Sequence, residues 1–190
     1  MYNYQTQQLI FAVTTNVEKE FDLFGKRVIK QARTNLSKKK INATKDLYNS
    51  MRYETKVFPS GALEFNFFMQ DYWRFVDEGV RGVGGTKANG DRWNVKKSTG
   101  RFKYRDKKPP AKVFEKWIKA KPVVFRNKKG QFITRKQASF IIANAVYHQG
   151  IEQTDFFRRS FELAYQKLPD DIIRAYANDL DRLLEFTVSK

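Results

Sequence analysis

The nine residues Asp71-Tyr-Trp-Arg-Phe-Val-Asp-Glu-Gly79 separate a strand-like part of the chain from a long, basic, glycine-rich part. Tyr72, Phe75 and Val76 share one face at i, i+3 and i+4 spacing, which predicts a short amphipathic helix. We expect Gly79 to end this helix, because glycine adopts the left-handed backbone conformation that commonly follows a helix. The rest of the chain is therefore expected to support this helix on one side and to extend from it on the other.

The sequence that precedes this helix predicts a β-hairpin. Residues 51–58 and 62–69 each alternate apolar and polar side chains, and Pro59, Ser60 and Gly61 between them are typical turn residues. Such alternation indicates one buried and one solvated face. Because an isolated hairpin is only marginally stable, it needs a covering layer.

A long amphipathic helix over residues 16–38 is the expected cover for this hairpin. Thr15 and Glu18 match a capping box, which predicts that the helix begins at this point. Its apolar positions repeat with helical spacing at Val17, Phe21, Phe24, Val28, Ala32 and Leu36. We predict a core that contains Phe21, Phe24, Val28, Phe65, Phe67, Phe75 and Val76.

Helical patterns dominate the C-terminal half. One helix is expected after Pro109-Pro110, another after a second capping box formed by Thr134 and Gln137, and a third after a cap at Thr154 or Asp155. A last helix is predicted at about 170–186, and a smaller hairpin at 122–134. The predicted fold class is α+β: a long N-terminal helix packed on a small antiparallel β-sheet, with a helical C-terminal part. Residues 1–190 are expected to form a single domain.

The positive charge is concentrated in one segment. Residues 81–136 contain 19 Lys or Arg and 3 Asp or Glu, whereas the rest of the chain contains 18 and 17, within a total net charge of +17. Such an excess favours a polyanionic neighbour, which is nucleic acid, an acidic membrane surface or an acidic protein face.

Residues 79–110, which we call the arm, are rich in glycine and are predicted to form a long basic loop. We expect the arm to be poorly ordered in a free subunit, because glycine raises the entropic cost of fixing a backbone. Trp93, Phe102 and Tyr104 are either stacking platforms for nucleic acid or anchors at a subunit interface. The basic residues expected to face DNA or a protein partner are Arg81, Lys87, Arg92, Lys96, Lys97, Arg101, Lys103, Arg105, Lys107 and Lys108.

Few residues offer catalytic chemistry. The chain has no Cys and one His, so disulfides and thiolate metal sites are excluded and a zinc site is nearly excluded. His148 is expected to cap carbonyl groups at a helix end. Asp71, Asp77 and Glu78 are the only candidates for a metal-dependent nuclease, but adjacent residues on a helix point apart. We therefore predict no catalytic residue, no metal and no cofactor, and we do not expect an enzyme.

The sequence predicts neither a signal peptide nor a membrane-spanning segment. Its first residues lack the basic and apolar regions of a signal peptide, and no apolar run approaches the roughly 18 residues of a membrane span. A membrane partner is not expected.

The order of several short motifs resembles the neck proteins of tailed bacteriophages, the tail-completion or head–tail joining family. Thr44-Lys-Asp-Leu-Tyr-Asn-Ser50 is similar to a Thr-Gly-x-Leu-x-x-Ser turn of that family, with Lys45 in place of its glycine. Tyr72-Trp-Arg-Phe-Val-Asp-Glu78-Gly79 is similar to its Tyr-Ala-x-x-Val-Glu-x-Gly helix. Asp155-Phe156-Phe157 stands where the family has Pro-Phe-Leu at the start of a late helix.

This resemblance, which spans roughly residues 16–165, implies a structural virion protein without enzymatic activity. It implies a homo-oligomeric ring in the neck that joins the portal side of the head to the tail. The implied partners are the neck proteins on the portal or adaptor side and on the tail side, and the genomic DNA that passes non-specifically through the lumen. The implied location is the virion, after assembly in the host cytoplasm. A DNA-binding protein and a metal-dependent nuclease are the alternatives.

Overall fold

The computed structural model describes residues 4–39, 45–58, 63–98, 100–120, 124–127 and 129–188. The predicted α+β class is confirmed, with a long N-terminal helix, a small two-stranded antiparallel sheet and C-terminal helices. In chain order the elements are α1 (Tyr4–Lys38), α2 (Asp46–Ser50), β1 (Arg52–Val57), β2 (Leu63–Phe68), α3 (Trp73–Asp77), β3 (Val80–Arg81), α4 (Ala111–Ala120), α5 (Arg135–Gln149), β4 (Gly150–Ile151), α6 (Arg158–Tyr165) and α7 (Leu168–Val188).

The chain divides into two compact units. The first comprises residues 1–34, 51–68 and 156–190, and the second comprises residues 35–50 and 69–155. The first unit therefore contains most of α1, the hairpin, α6 and α7, whereas the second contains α3, the arm, α4 and α5. Among the described residues, no helix has the length and apolar character needed to cross a membrane.

The predicted hairpin is confirmed. β1 and β2 pair in antiparallel register, with Tyr53 opposite Phe67 and Thr55 opposite Phe65, so these side chains share one face. The predicted turn residues 59–61 lie outside the described residues. The face that carries Phe65 and Phe67 is packed against Phe24 of α1, as the alternation predicted.

The core of the first unit is aromatic. Phe24, Val28 and Leu168 are buried, and Phe21, Phe65 and Phe67 are packed against them together with Phe157 and Phe161 of the C-terminal part. Phe24 meets Phe65 and Phe161 edge to face, at centroid distances of 5.4 and 5.6 Å. Such edge-to-face pairs stabilise beyond their buried area.

The helix predicted at 16–38 is confirmed, but its predicted start at Thr15 is wrong. α1 begins at Tyr4, because residues 4–14 contain neither proline nor glycine to interrupt a helix and a capping motif does not stop a helix that is already formed. The backbone amide and side-chain amide of Asn16 instead donate to the buried carboxylate of Asp179 in α7, at 3.2 and 2.5 Å.

The second capping box is confirmed. The Thr134 side chain accepts from the Gln137 backbone amide, and the Gln137 side chain accepts from the Thr134 amide. The predicted cap at Thr154 or Asp155 is wrong, because α6 has Phe157 at its N-cap without a side-chain hydrogen bond. The Thr154 hydroxyl is already engaged, since it donates to the Val76 carbonyl at 2.7 Å.

The last helix begins at Leu168 and includes Pro169, because the first turn of a helix needs no amide hydrogen from that residue. The predicted second hairpin is reduced to one antiparallel bridge, Arg126 to Phe132, within residues 124–127 and 129–134. Its first residues lie outside the described part of the chain.

Phe75 is not a core residue, which corrects the predicted apolar face of the short helix. Its side chain is 42% exposed and contacts the Phe102 ring, and Val76 is half-buried. The residue of α3 that is buried is Asp77, whose backbone carbonyl accepts from the amides of Thr154 and Asp155 at 3.0 Å. A helix of five residues is too short to bury an apolar stripe, so backbone hydrogen bonds orient it instead.

Candidate functional site

The second unit carries almost all of the net charge. Its sequence contains 24 basic and 9 acidic residues, a net charge of +15, whereas the first unit contains 13 and 11, a net charge of +2. The charge that the sequence places at 81–136 therefore lies in one folded unit. This unit is the candidate for contact with a polyanion.

The predicted basic residues of the arm are available to such a partner. Nine of the ten are exposed, and the tenth, Lys87, is half-buried with its ammonium group 5.3 Å from the centre of the Trp93 ring. Within the described part of the chain, none of the ten has a carboxylate oxygen within 4.0 Å. Because no described carboxylate neutralises them, their positive charges repel one another and favour the approach of an anion.

The arm is attached to the C-terminal end of α5 by backbone hydrogen bonds, and its predicted poor order in a free subunit stays a prediction. Backbone amides of the arm donate to the last carbonyl groups of the helix, which have no partners within it. These bonds run from Val83, Gly84 and Lys96 to Tyr147, His148 and Gln149, at 3.0, 2.9 and 2.8 Å. The arm therefore completes the hydrogen bonding of the helix end.

Two short strands add to this attachment. β3 and β4 are antiparallel, with Val80 opposite Ile151 and Arg81 opposite Gly150. The backbones approach so closely that a Cβ atom on Gly82 would lie 2.2 Å from the His148 carbonyl oxygen. Gly82 therefore permits a close approach of two backbones that a larger residue would prevent.

His148 and Trp93 form the centre of the contact between the arm and α5. Their rings are stacked with centroids 5.1 Å apart and planes 4° from parallel. The His148 Nδ1 atom lies 2.7 Å from the Gly84 carbonyl oxygen, and because a carbonyl only accepts, Nδ1 is the donor. His148 thus binds a carbonyl group, as expected at a helix end, but the carbonyl belongs to the arm.

Phe102 and Tyr104 also make ring contacts within the second unit. Phe102 lies 4.5 Å from Phe75, and Tyr104 lies 6.0 Å from Tyr147, whose hydroxyl donates to the Arg105 carbonyl at 2.5 Å. Burial raises the pKa of the Tyr104 hydroxyl above its ordinary value of 10.0. The three predicted anchors are Trp93, Phe102 and Tyr104, and all of them are half-buried by contacts inside the chain. Their role at a subunit interface stays a prediction.

The three carboxylates considered for a nuclease differ in their surroundings. Asp77 is buried, Glu78 is half-buried and Asp71 is exposed. Over the described ranges, no group of three or more His, Asp or Glu side chains is gathered closely enough to hold a metal ion.

The sequence did not predict the pairing of β3 with β4 or the stack of Trp93 on His148. A usable signal was present in the glycines at positions 79, 82 and 150, which mark points where two backbones meet.

No family model, curated protein or solved structure matches this chain.

Proposed function

We propose that this chain is a structural, non-enzymatic protein of a tailed-bacteriophage virion, located in the neck. It forms a homo-oligomeric ring around the DNA channel, between the portal or adaptor side of the head and the tail. The observation that carries the proposal is a set of mostly exposed cations without carboxylate partners in the described part of the chain, on a hydrogen-bonded backbone within a unit of net charge +15.

Unpaired cations on a fixed backbone suit a channel that DNA passes through. Phosphate neutralisation is independent of sequence, so every part of a moving genome meets the same interaction. The arm contains no free aromatic side chain with which to grip bases, because Trp93, Phe102 and Tyr104 are half-buried against other rings. DNA contact through the arm is therefore electrostatic, and weak enough at cellular salt to let the genome slide.

The location is tested on particles. Purified virions of the phage that encodes this chain should contain it in several copies, and cryo-electron microscopy should place it between head and tail. Particles made without it should accumulate as filled heads separated from tails, and the supplied wild-type chain should restore joining. Its absence from purified virions would refute the neck role.

The DNA contact is tested with a matched pair of triple variants. Lys97→Glu, Lys103→Glu and Lys107→Glu reverse three exposed arm cations, and Lys19→Glu, Lys30→Glu and Lys56→Glu reverse three exposed cations of the first unit. The arm variant should lower the slope of log affinity against log salt by about 3, because each lost phosphate contact removes roughly 0.9 from it. The control should leave the slope close to that of the wild type.

Binding and cleavage assays on the wild-type chain and on Glu78→Gln distinguish the two alternatives. Tight sequence-specific binding by a monomer would favour a DNA-binding regulator over a neck protein. Cleavage of a plasmid in Mg²⁺ or Mn²⁺ that disappears in Glu78→Gln would favour the nuclease. The neck protein should do neither.

A further inference from the structure

The last helix presents an apolar stripe to solvent. Ile173, Tyr176, Leu180 and Leu184 of α7 are 67%, 53%, 43% and 54% exposed, and their i, i+3, i+7, i+11 spacing places them on one face. The face that α7 buries in the first unit is a different one, which contains Ala175 and Asp179. A continuous exposed stripe of large apolar side chains is typical of an interaction surface.

The chemistry beside this stripe is acidic. Of the five acidic residues of α7, Asp171 is paired with Arg27 and Arg174, and Asp179 is buried where it accepts from Asn16. Asp170 and Asp181 are exposed, and helical geometry places both next to the stripe. The helix therefore suits an apolar groove with a positive margin.

The second unit contains a groove of this kind. It has a volume of about 680 Å³ and lies between α4, α5 and the segment that follows β4. Phe114 and Trp117 of α4 line it together with Ile142 and Val146 of α5. Lys39 and Lys96 contribute positive charge to the same lining, which also contains the carboxylate of Glu152.

We propose that α7 of one subunit docks its exposed stripe into this groove of a second copy of the chain. The groove offers apolar area to the stripe, and its lysines face the acidic side of the helix, which is the usual recognition of an amphipathic helix by a groove. The contact also joins a unit of net charge +2 to a unit of net charge +15, so it avoids opposing two strongly basic surfaces.

The symmetry of such a contact follows from its two different surfaces. Each subunit carries one helix stripe and one groove, so the association is head to tail and leaves both surfaces available for further copies. Head-to-tail contacts generate closed rings when the rotation between subunits closes. The proposal rests on the proposed function in this respect, since it names the interface that builds the neck ring.

The absence of cysteine in the chain allows a direct test. Ile173→Cys places one thiol on the exposed stripe, and Glu152→Cys places one in the groove at another exposed position. Mixed under mild oxidation, the two variants should form a mixed disulfide about tenfold or more faster than either forms with itself, because docking raises the effective concentration of the two thiols. Intact mass spectrometry distinguishes the mixed product from the symmetric ones.

Asn178→Cys is the matched control, because it lies on the same helix at an exposed position away from the stripe. It should react with Glu152→Cys no faster than with itself. The proposal would be overturned if Ile173→Cys and Asn178→Cys formed the disulfide with Glu152→Cys at equal rates. It would also be overturned if Ile173→Cys formed a disulfide with itself faster than with Glu152→Cys. All three variants change exposed side chains, and circular dichroism verifies that each is folded.

Failure here is distinguishable from failure of the proposed function. A chain found at the neck of particles whose variants do not cross-link would keep its neck role and lose this interface. A chain that cross-links as expected but is absent from virions would keep the interface and lose the neck role.

Discussion

The indole ring of Trp93 lies parallel to the imidazole ring of His148, with centroids 5.1 Å apart. Trp93 belongs to the arm and His148 to the last turn of α5, so this stack fastens a basic loop to a helix end. The imidazole ring of His148 also donates a hydrogen bond from Nδ1 to the Gly84 carbonyl of the arm, which reinforces this attachment. The stack therefore acts together with the backbone hydrogen bonds between the arm and α5.

Replacing Trp93 by Ala should loosen the arm without unfolding the chain. The lost stack and buried area should lower the free energy of unfolding by about 1–3 kcal/mol, less than for a fully buried Trp. Hydrogen exchange should accelerate at the amides of Val83, Gly84 and Lys96, which bond to α5. Trp93→Phe is the control and should retain most of their protection, whereas unchanged exchange in Trp93→Ala would show that the stack does not hold the arm.

Replacing Gly82 by Ala should separate the arm from α5 by direct collision. The added Cβ would lie 2.2 Å from the His148 carbonyl oxygen and 2.5 Å from the Gln149 carbonyl carbon, both of them backbone atoms that cannot rotate away. We expect a loss of about 1–3 kcal/mol, as for overpacked sites. Hydrogen exchange at Val83 and Lys96 should rise in parallel.

The control for this variant is Gly90→Ala, where a Cβ atom would meet nothing within 4 Å. Its backbone φ of +88° makes alanine locally strained, but the amides bonded to α5 should stay protected. A fully protected Lys96 amide in Gly82→Ala would contradict the close approach described above.

The Tyr53 hydroxyl in the first unit should lose its proton at a higher pH than an ordinary tyrosine does. It donates to the Asp22 carboxylate at 2.5 Å, and desolvation by burial, followed by this hydrogen bond, raises its pKa to about 12. A raised pKa means that the neutral phenol is favoured by folding. Its contribution to stability is therefore fully present below the ordinary tyrosine pKa of about 10 and is lost as the pH rises to about 12.

Ultraviolet absorbance of tyrosinate measures this titration. The Tyr53→Phe variant should lack one tyrosine that ionises late, and its stability should fall less steeply between about pH 10 and 12. Tyr165→Phe, which changes an exposed ring, is the control. Identical absorbance changes above about pH 11 in the two variants would contradict the shifted pKa.

Local patterns in the sequence predicted the elements whose stability depends on near neighbours. Alternation over residues 51–69 predicted β1 and β2 with the correct face inward, because the side-chain period of a strand is independent of the rest of the fold. The capping box at Thr134 was confirmed, whereas the same motif at Thr15 did not begin a helix. A capping motif acts only where the preceding residues leave the helix, and that depends on structure upstream of the motif.

The amino-acid sequence by itself determined the α+β class, the aromatic core around Phe24 and the concentration of positive charge at 81–136. These properties follow from composition and short-range periodicity. Only the tertiary structure decided that Phe75 is exposed, that Trp93 meets His148 and that the arm cations have no carboxylate partner among the described residues. The physical reason is that close approach between residues distant in the chain depends on how backbone hydrogen bonds are completed, as at the end of α5, and no local pattern encodes that partner.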